Sequence, residues 1–366
     1  MFRPALLSLL LLSGWIPSRA ATIHCVTDEV QLRAVFATLS GISSGDHDVR
    51  LTRRVFFNGT QTFSIVVTGQ LNDIRISGGW DSGCNSQTPD ARETVIDAQG
   101  LSAVLSIHRS SAVVGTAPLV AVSNLTLRNG TAASAPVGLH IINNYGSIEV
   151  DNVIVHGHRA TASIYDGGTA ITLDTPIGDI RLRNALVFDN EGWLQFNSQW
   201  QLADVLLTSM SLNPNRQFVV TNSTIDAGPG EPDRALRLQS DGHLDLFNNV
   251  IKGPVYLIGS ITGAGAATPP KVRRVFNHMP NPVSDPGVVV DLDSGNSTAD
   301  PQLDPATFVP LAGSPVVNAG LGNPPGGESL TDVHGHPRTA FTYIDQGAIE
   351  AQTYVPTVRI FGDDFE

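Results

Sequence analysis

Between residues 120 and 248 the chain six times alternates apolar and polar residues over four positions, closes on an Asn or Asp, and returns to an apolar residue three positions later. The copies are Val120-Ala121-Val122-Ser123-Asn124, Ile148-Glu149-Val150-Asp151-Asn152, Ile180-Arg181-Leu182-Arg183-Asn184, Trp200-Gln201-Leu202-Ala203-Asp204, Phe218-Val219-Val220-Thr221-Asn222 and Leu244-Asp245-Leu246-Phe247-Asn248. The returning residues are Leu127, Val155, Val187, Leu207, Ile225 and Ile251. A period of two belongs to a strand with one buried face, so the first and third residues of each phrase point inward. A short polar side chain tolerates the left-handed backbone that turns a chain sharply, and its amide can bond its counterpart in the next copy. Asn124, Asn152, Asn184, Asp204, Asn222 and Asn248 are therefore expected to stack as a corner ladder, spaced by 28, 32, 20, 18 and 26 residues.

A second alternating phrase precedes the first in each unit. It reads His140-Ile141-Ile142-Asn143, Ile171-Thr172-Leu173-Asp174, Leu194-Gln195-Phe196-Asn197, Met210-Ser211-Leu212-Asn213, Leu236-Arg237-Leu238-Gln239 and Tyr256-Leu257-Ile258-Gly259. Each unit then holds three short strands and no helix, and stacked copies of such a unit form a solenoid. The expected fold is all-β, a right-handed parallel β-helix of about nine to ten coils, the hand taken from the general preference of parallel crossovers. An antiparallel sandwich would explain the alternation equally well, but not why the phrase recurs in one order without reversal.

Asp28 and Gln31 have the spacing of a helix capping box, and Val30, Leu32, Val35, Phe36 and Leu39 form a helical apolar stripe. They predict a short N-terminal helix capping an end of the stack that would otherwise expose unpaired backbone. Ile74-Arg75-Ile76-Ser77-Gly78 repeats the phrase with Gly78 at the ladder position, where glycine takes a left-handed backbone easily. The expected organisation is a signal peptide over 1–20, a helix cap over 21–48, coils over 49–259, a last coil, loop excursion and closing segment over 260–350, and a tail over 351–366.

Composition narrows the compartment and partners more than the fold. Arg3, an apolar run from Ala5 to Ile16 and small residues before Ala20 have the layout of a secretory signal. That run is far shorter than a membrane-spanning helix, and no later stretch qualifies. The two cysteines, Cys25 and Cys84, are in an oxidising compartment most simply one disulfide, two free thiols being the alternative. A formal charge of −12 with no basic run argues against nucleic acid as a partner.

The closing phrases are Ala299-Asp300-Pro301-Gln302-Leu303, Gly313-Ser314-Pro315-Val316-Val317-Asn318-Ala319-Gly320, Asp332-Val333-His334-Gly335-His336-Pro337-Arg338 and Asp345-Gln346-Gly347-Ala348-Ile349-Glu350. They resemble the end of bacterial surface β-helix proteins of the choice-of-anchor Q and pectate-lyase-like, polymorphic-outer-membrane-repeat type. Asn318 stands for an Asp of that pattern and Gln346 for an apolar residue. The opening is similar too, carried by Cys25, Ile76, Gly78, Gly79, Trp80, Cys84, Thr94, Val95 and Asp97. The last residues, Val358 to Glu366, look like a tail that ends many exported proteins of some Gram-negative bacteria, with Asp364 in place of a Gly. The resemblance implies a right-handed β-helix that is secreted or displayed on the outer surface, and implies no reaction.

A polysaccharide lyase or hydrolase on such a scaffold needs paired carboxylates, or carboxylates holding calcium beside a base. The outward positions of one stacked sheet read as Ile141, Thr172, Gln195, Ser211, Arg237 and Leu257, with Asn143, Asp174, Asn197, Asn213 and Gln239 at its turn. Those positions hold one carboxylate. A second sheet offers Glu149, Asp151, Arg181, Arg183 and Asp245, which alternate in sign as a solvated face would. The catalytic candidates are Asp166, Asp174 and Arg237, and the candidates for holding a sugar are Tyr165, Trp193, Gln195 and Asn197. His156-Gly157-His158 and His334-Gly335-His336 invite a metal, but with no third ligand in sequence reach they read as surface histidines, and no metal or other cofactor is expected. The expected role is binding, adhesion or structure, as a monomer, with polysaccharide or cell-surface glycan as partner; the competing role is the lyase or hydrolase.

Overall fold

The computed structural model describes residues 20–352, apart from 42–43, 69, 111–116, 133–135, 161–168, 191–202, 209–215, 229–233, 241, 259–269, 285–286 and 341–342. The expected signal peptide and C-terminal tail therefore lie outside the described residues.

Among the described residues every pairing between strands is parallel. Ten strands follow one another along a 14-stranded sheet, and a second sheet stacks eight strands. Long strands such as Leu119–Arg128, Ser147–His156 and Ile180–Phe188 are bent at Asn124, Asn152 and Asn184, so the larger sheet supplies two of the three faces of each coil. The chain is a parallel β-helix, and the sandwich alternative fails on strand direction.

The core is built in files. Ile74, Val120, Ile148, Ile180, Phe218, Leu244 and Val272 lie register on register, and all are fully buried. Ile65, Ile107, Ile141, Leu173, Leu207, Leu238 and Leu257 form the corresponding file of the eight-stranded sheet. Two second phrases are thus out of phase with the sequence reading, since Ile141 and Leu257 point inward and His140 and Tyr256 outward.

The corner ladder needs one larger correction. Asn124, Asn152, Asn184, Asn222 and Asn248 all take a left-handed backbone, φ 48 to 56°. Asp204 does not belong with them: its strand, Ala203–Thr208, is in the other sheet, where Val205 pairs with Ile171 and Leu236. The spacings of 20 and 18 residues are one coil of 38, and the alternation around Asp204 belongs to a different face of the same turn. Gly78 sits opposite Asn124 and takes its side-chain amide on its carbonyl at 3.0 Å, but the left-handed step is at Gly79.

Asn152 Nδ2 donates to Asn124 Oδ1 and Asn184 Nδ2 to Asn152 Oδ1, each at 2.7 Å. Below Asn184 the amide stack moves one residue on: Asn249 donates to Asn277 Oδ1 at 3.0 Å, and Asn277 to Asn296 Oδ1 at 2.9 Å. That shift leaves Phe276 at the left-handed corner with φ 53°, with no amide required of it. Asn152→Ala is expected to cost about 3 kcal/mol, combining an unfavourable left-handed backbone with orphaned amide partners. Asn152→Gly should recover about 1 kcal/mol of that loss. Equal midpoints for the two variants in urea would show that backbone hand does not matter at this corner.

Helix Glu29–Gly41 buries Leu32, Phe36 and Leu39. Its capping box is formed: Asp28 Oδ1 accepts from Gln31 N at 2.8 Å, and Gln31 Oε1 from Thr27 N at 2.9 Å. The coils begin earlier than expected, because Thr22–Val26 and Ser44–Thr52, on either side of the helix, already pair with each other. Cys25 and Cys84 form a disulfide that joins this first strand to the loop beyond Trp80.

Within the segment expected to hold a last coil and a loop excursion, Lys271–Val275 and Val289–Ser294 form two more rungs. The last of them, Val289–Ser294, exposes Val289, Val290 and Leu292 at an open sheet edge. Asp291 and Asp293 on the same strand oppose pairing with another chain.

Candidate functional site

From about residue 301 the chain does not cross the open end of the stack. It runs back along the asparagine corner, bonded to it rung by rung. Asn248 and Leu321 exchange a donor and an acceptor at 2.7 and 2.8 Å, Asn184 Nδ2 donates to Thr331 O at 3.0 Å, and Val333 O accepts from Ala91 N at 3.1 Å. Under this strap Ile154, Leu186, Phe308, Val333, Ala348 and Ile349 form a second, smaller apolar cluster. Ile154 and Leu186 sit at outward positions, within the unbroken apolar runs Val153-Ile154-Val155 and Ala185-Leu186-Val187. Those runs break the alternation and are the sequence signal that something covers this face.

The closing phrases are the latch of the strap. Arg338 is buried and donates to Gly347 O at 2.8 Å, to Asn222 O at 3.1 Å and to Asn184 Oδ1, so one guanidinium occupies the gap in the ladder. Three buried carboxylates surround it and tie the backbone. Asp332 accepts from His334 N, His336 N and Glu350 N, Asp345 from Asn318 N and Ala351 N, and Glu350 from Asp345 N. Gly347, at φ 93°, passes so close to Thr224 that a Cβ there would lie 2.6 Å from its hydroxyl oxygen.

One cation cannot neutralise three buried acids. Burial and then the neighbouring Asp345 push Glu350 up to about 8, and burial raises Asp345 as well. A carboxyl whose folded pKa lies above its unfolded value of 4.5 stabilises the fold fully below that value and loses its contribution as pH rises towards 8. Glu350→Gln is therefore expected to flatten the decline in latch stability between about pH 5 and 8. Thermal midpoints across that range are the measurement; a slope unchanged in the variant would remove Glu350 as its source.

The outward face of the eight-stranded sheet is the other place where chemistry-bearing groups collect. One file reads Ser64, Ser106, His140, Thr172, Leu206, Arg237, Tyr256 and Val283, and the next includes Val66, His108, Ile142, Asp174, Thr208, Gln239 and Ile258. Asp174 and Arg237 are not brought together. They sit in different files with strand Ala203–Thr208 between them, about 10 Å apart by strand spacing alone. Arg237 is buried and donates to Gln239 Oε1 at 3.1 Å. Asp166, Tyr165, Trp193, Gln195 and Asn197 lie outside the described residues. At the C-terminal end of this face is a cleft of about 740 Å³, lined among others by Lys252, Tyr256, Met279, Asn281, Val283 and Thr298.

On the first face the charges pair across rungs, Glu149 with Arg181 at 2.8 Å and Asp151 with Arg183 at 3.2 Å. Asp245 differs from them in being fully buried, held by Arg273 at 2.7 Å and Gln217 at 2.7 Å.

The histidine pairs are not both surface features. His158 is fully buried, its Nδ1 accepts from Gly130 N at 2.8 Å, and burial lowers it to about 3, so it is a neutral core residue. His156 stacks on Phe188 with ring centroids 4.9 Å apart. Beside His334 and His336 there is a third potential ligand after all, Asp332.

No family model, no curated protein and no solved structure matches this chain.

Proposed function

We propose that this protein is an exported, monomeric member of the surface β-helix proteins whose closing phrases it resembles, and that it holds a glycan on the outward face of its eight-stranded sheet without cleaving it. The ligand occupies the cleft beside Tyr256, at the C-terminal end of that face. What supports binding over cleavage is the chemistry of the two outward files. Ser64, Ser106, His108, His140 and Tyr256 are open or half-buried there, Thr172, Arg237 and Gln239 are buried, and among the described residues Asp174 is the one carboxylate of the two files. Glycoside hydrolysis by acid and base needs two carboxyl groups roughly 5 to 9.5 Å apart. Hydroxyls and amides with an aromatic ring beside a cleft of several hundred Å³ are what a sugar needs to be held.

Purified protein on a glycan array, followed by titration of the best hit, tests this. Tyr256→Ala is expected to weaken binding about tenfold, the worth of one stacked ring. Incubation with the same glycan should release neither reducing ends nor unsaturated uronate. Steady release of either would establish the lyase or hydrolase instead.

A further inference from the structure

We propose that Asp332, His334 and His336 form a mononuclear site for a borderline divalent transition cation, zinc in the first instance. The three residues lie in one tight loop. Asp332 N donates to His336 O at 2.7 Å and Gly335 N to Asp332 O at 3.0 Å, while Gly335 takes φ 82°. The loop brings the two imidazoles together, with ring centroids 6.2 Å apart and planes at 88°. One donor atom from each of the three residues lies within 4.8 Å of the other two.

Two details distinguish this cluster from a chance grouping. His336 Nδ1 faces Asp332 Oδ2 at 3.4 Å without forming a hydrogen bond to it. Donors on a tetrahedral zinc with arms of about 2.0 to 2.1 Å stand about 3.3 to 3.4 Å apart, so the spacing suits two neighbouring ligands of one ion. The same Nδ1 is buried and has no hydrogen-bond partner, although its ring is partly exposed. A buried ring nitrogen that faces a carboxylate oxygen and makes no hydrogen bond calls for an explanation, and a cation between the two supplies one.

The surroundings are already organised for it. The Asp332 carboxylate is oriented by the His334, His336 and Glu350 amides, which leaves Oδ2 one lone pair towards His336. Arg92, whose charge acts on His334, is held on Asp90 at 2.7 Å and so is compensated there. Two imidazoles and a carboxylate suit zinc, cobalt, nickel or copper, whereas calcium and magnesium prefer oxygen ligands throughout. Water completes the coordination at the exposed side.

The test uses the untagged full chain, stripped with chelator and titrated with Zn²⁺ by calorimetry. One equivalent should bind, with a rise in thermal midpoint of several degrees that chelator reverses. His336→Gln should weaken binding at least tenfold, and the double variant His334→Ala/His336→Ala should abolish it. His24→Ala, which alters the separate His24–His47 pair bonded at 3.0 Å, should leave it unchanged. Co²⁺ in the wild-type chain should give visible ligand-field bands that His336→Gln loses. A parent chain that binds no Zn²⁺, or a double variant that still takes up one equivalent at parental affinity, would overturn the site. Asp332 is left intact throughout because it ties the latch.

Discussion

Arg338→Met is expected to release the strap from the corner while the coils stay wound. The guanidinium is fully buried, spans Asn184, Asn222 and Gly347, and its charge acts on Glu350, Asp332 and Asp345. Removing it leaves buried acids without compensation and carbonyls without donors, for which about 3 to 5 kcal/mol is the usual cost. Solenoids lose stability locally, so the readout is amide exchange and not a single global midpoint. Exchange at Leu321, Gly347 and Ala348, all bonded to the corner, should accelerate by roughly 10²- to 10⁴-fold, the rate equivalent of that cost. Amides of the core files around Ile148 and Ile180 should be slowed as before. Arg338→Lys should behave almost as badly, because one ammonium cannot reach three acceptors held in fork geometry. Parental exchange rates in the methionine variant would mean that the strap is held by its apolar cluster alone.

The second large effect is expected at the other end. Cys25 and Cys84 close a loop with a sequence separation of 59 that contains the capping helix and the first rungs. Loop closure of that length constrains the unfolded chain by about 4 kcal/mol. Cys25→Ser/Cys84→Ser should therefore unfold from the N-terminal end first, with the helix and strand Thr22–Val26 becoming sensitive to protease well below the parental midpoint. Reduction of the parent should reproduce this, whereas identical protease profiles with and without reductant would show that the helix needs no staple. The bond also fits the oxidising compartment expected for an exported chain.

The two predictions act on the two parts of the molecule that were unequally legible. The capping box at Asp28 and Gln31, the inward file from Val120 to Leu244 and the left-handed asparagines all follow from neighbours a few residues apart, and each is found where the local pattern places it. Asp204 misled for an instructive reason. Alternation closing on a short polar residue is a property of any half-buried strand, and only the pairing of Val205 with Ile171 reveals which face it belongs to. The phase of the strands at His140 and Tyr256 is not legible locally, because apolar residues on both sides of a short strand leave it open. Asp332 is not legible as a third ligand in the sequence, because spacing along the chain does not tell which way a carboxylate turns within a loop.

By itself the sequence determined a coil of parallel strands with a capped start, a cysteine pair and a turn residue able to stack, because the period of two and the backbone preferences behind these features are local. The tertiary structure decided which amides share a ladder, what fills its gap and what covers the outer face. Arg338 meets Asn184 across 154 residues, and Ser329 meets Asp151 across 178. Contacts at such separations arise only once the coils have stacked and the strap has returned along them, so no local pattern could encode where they would fall.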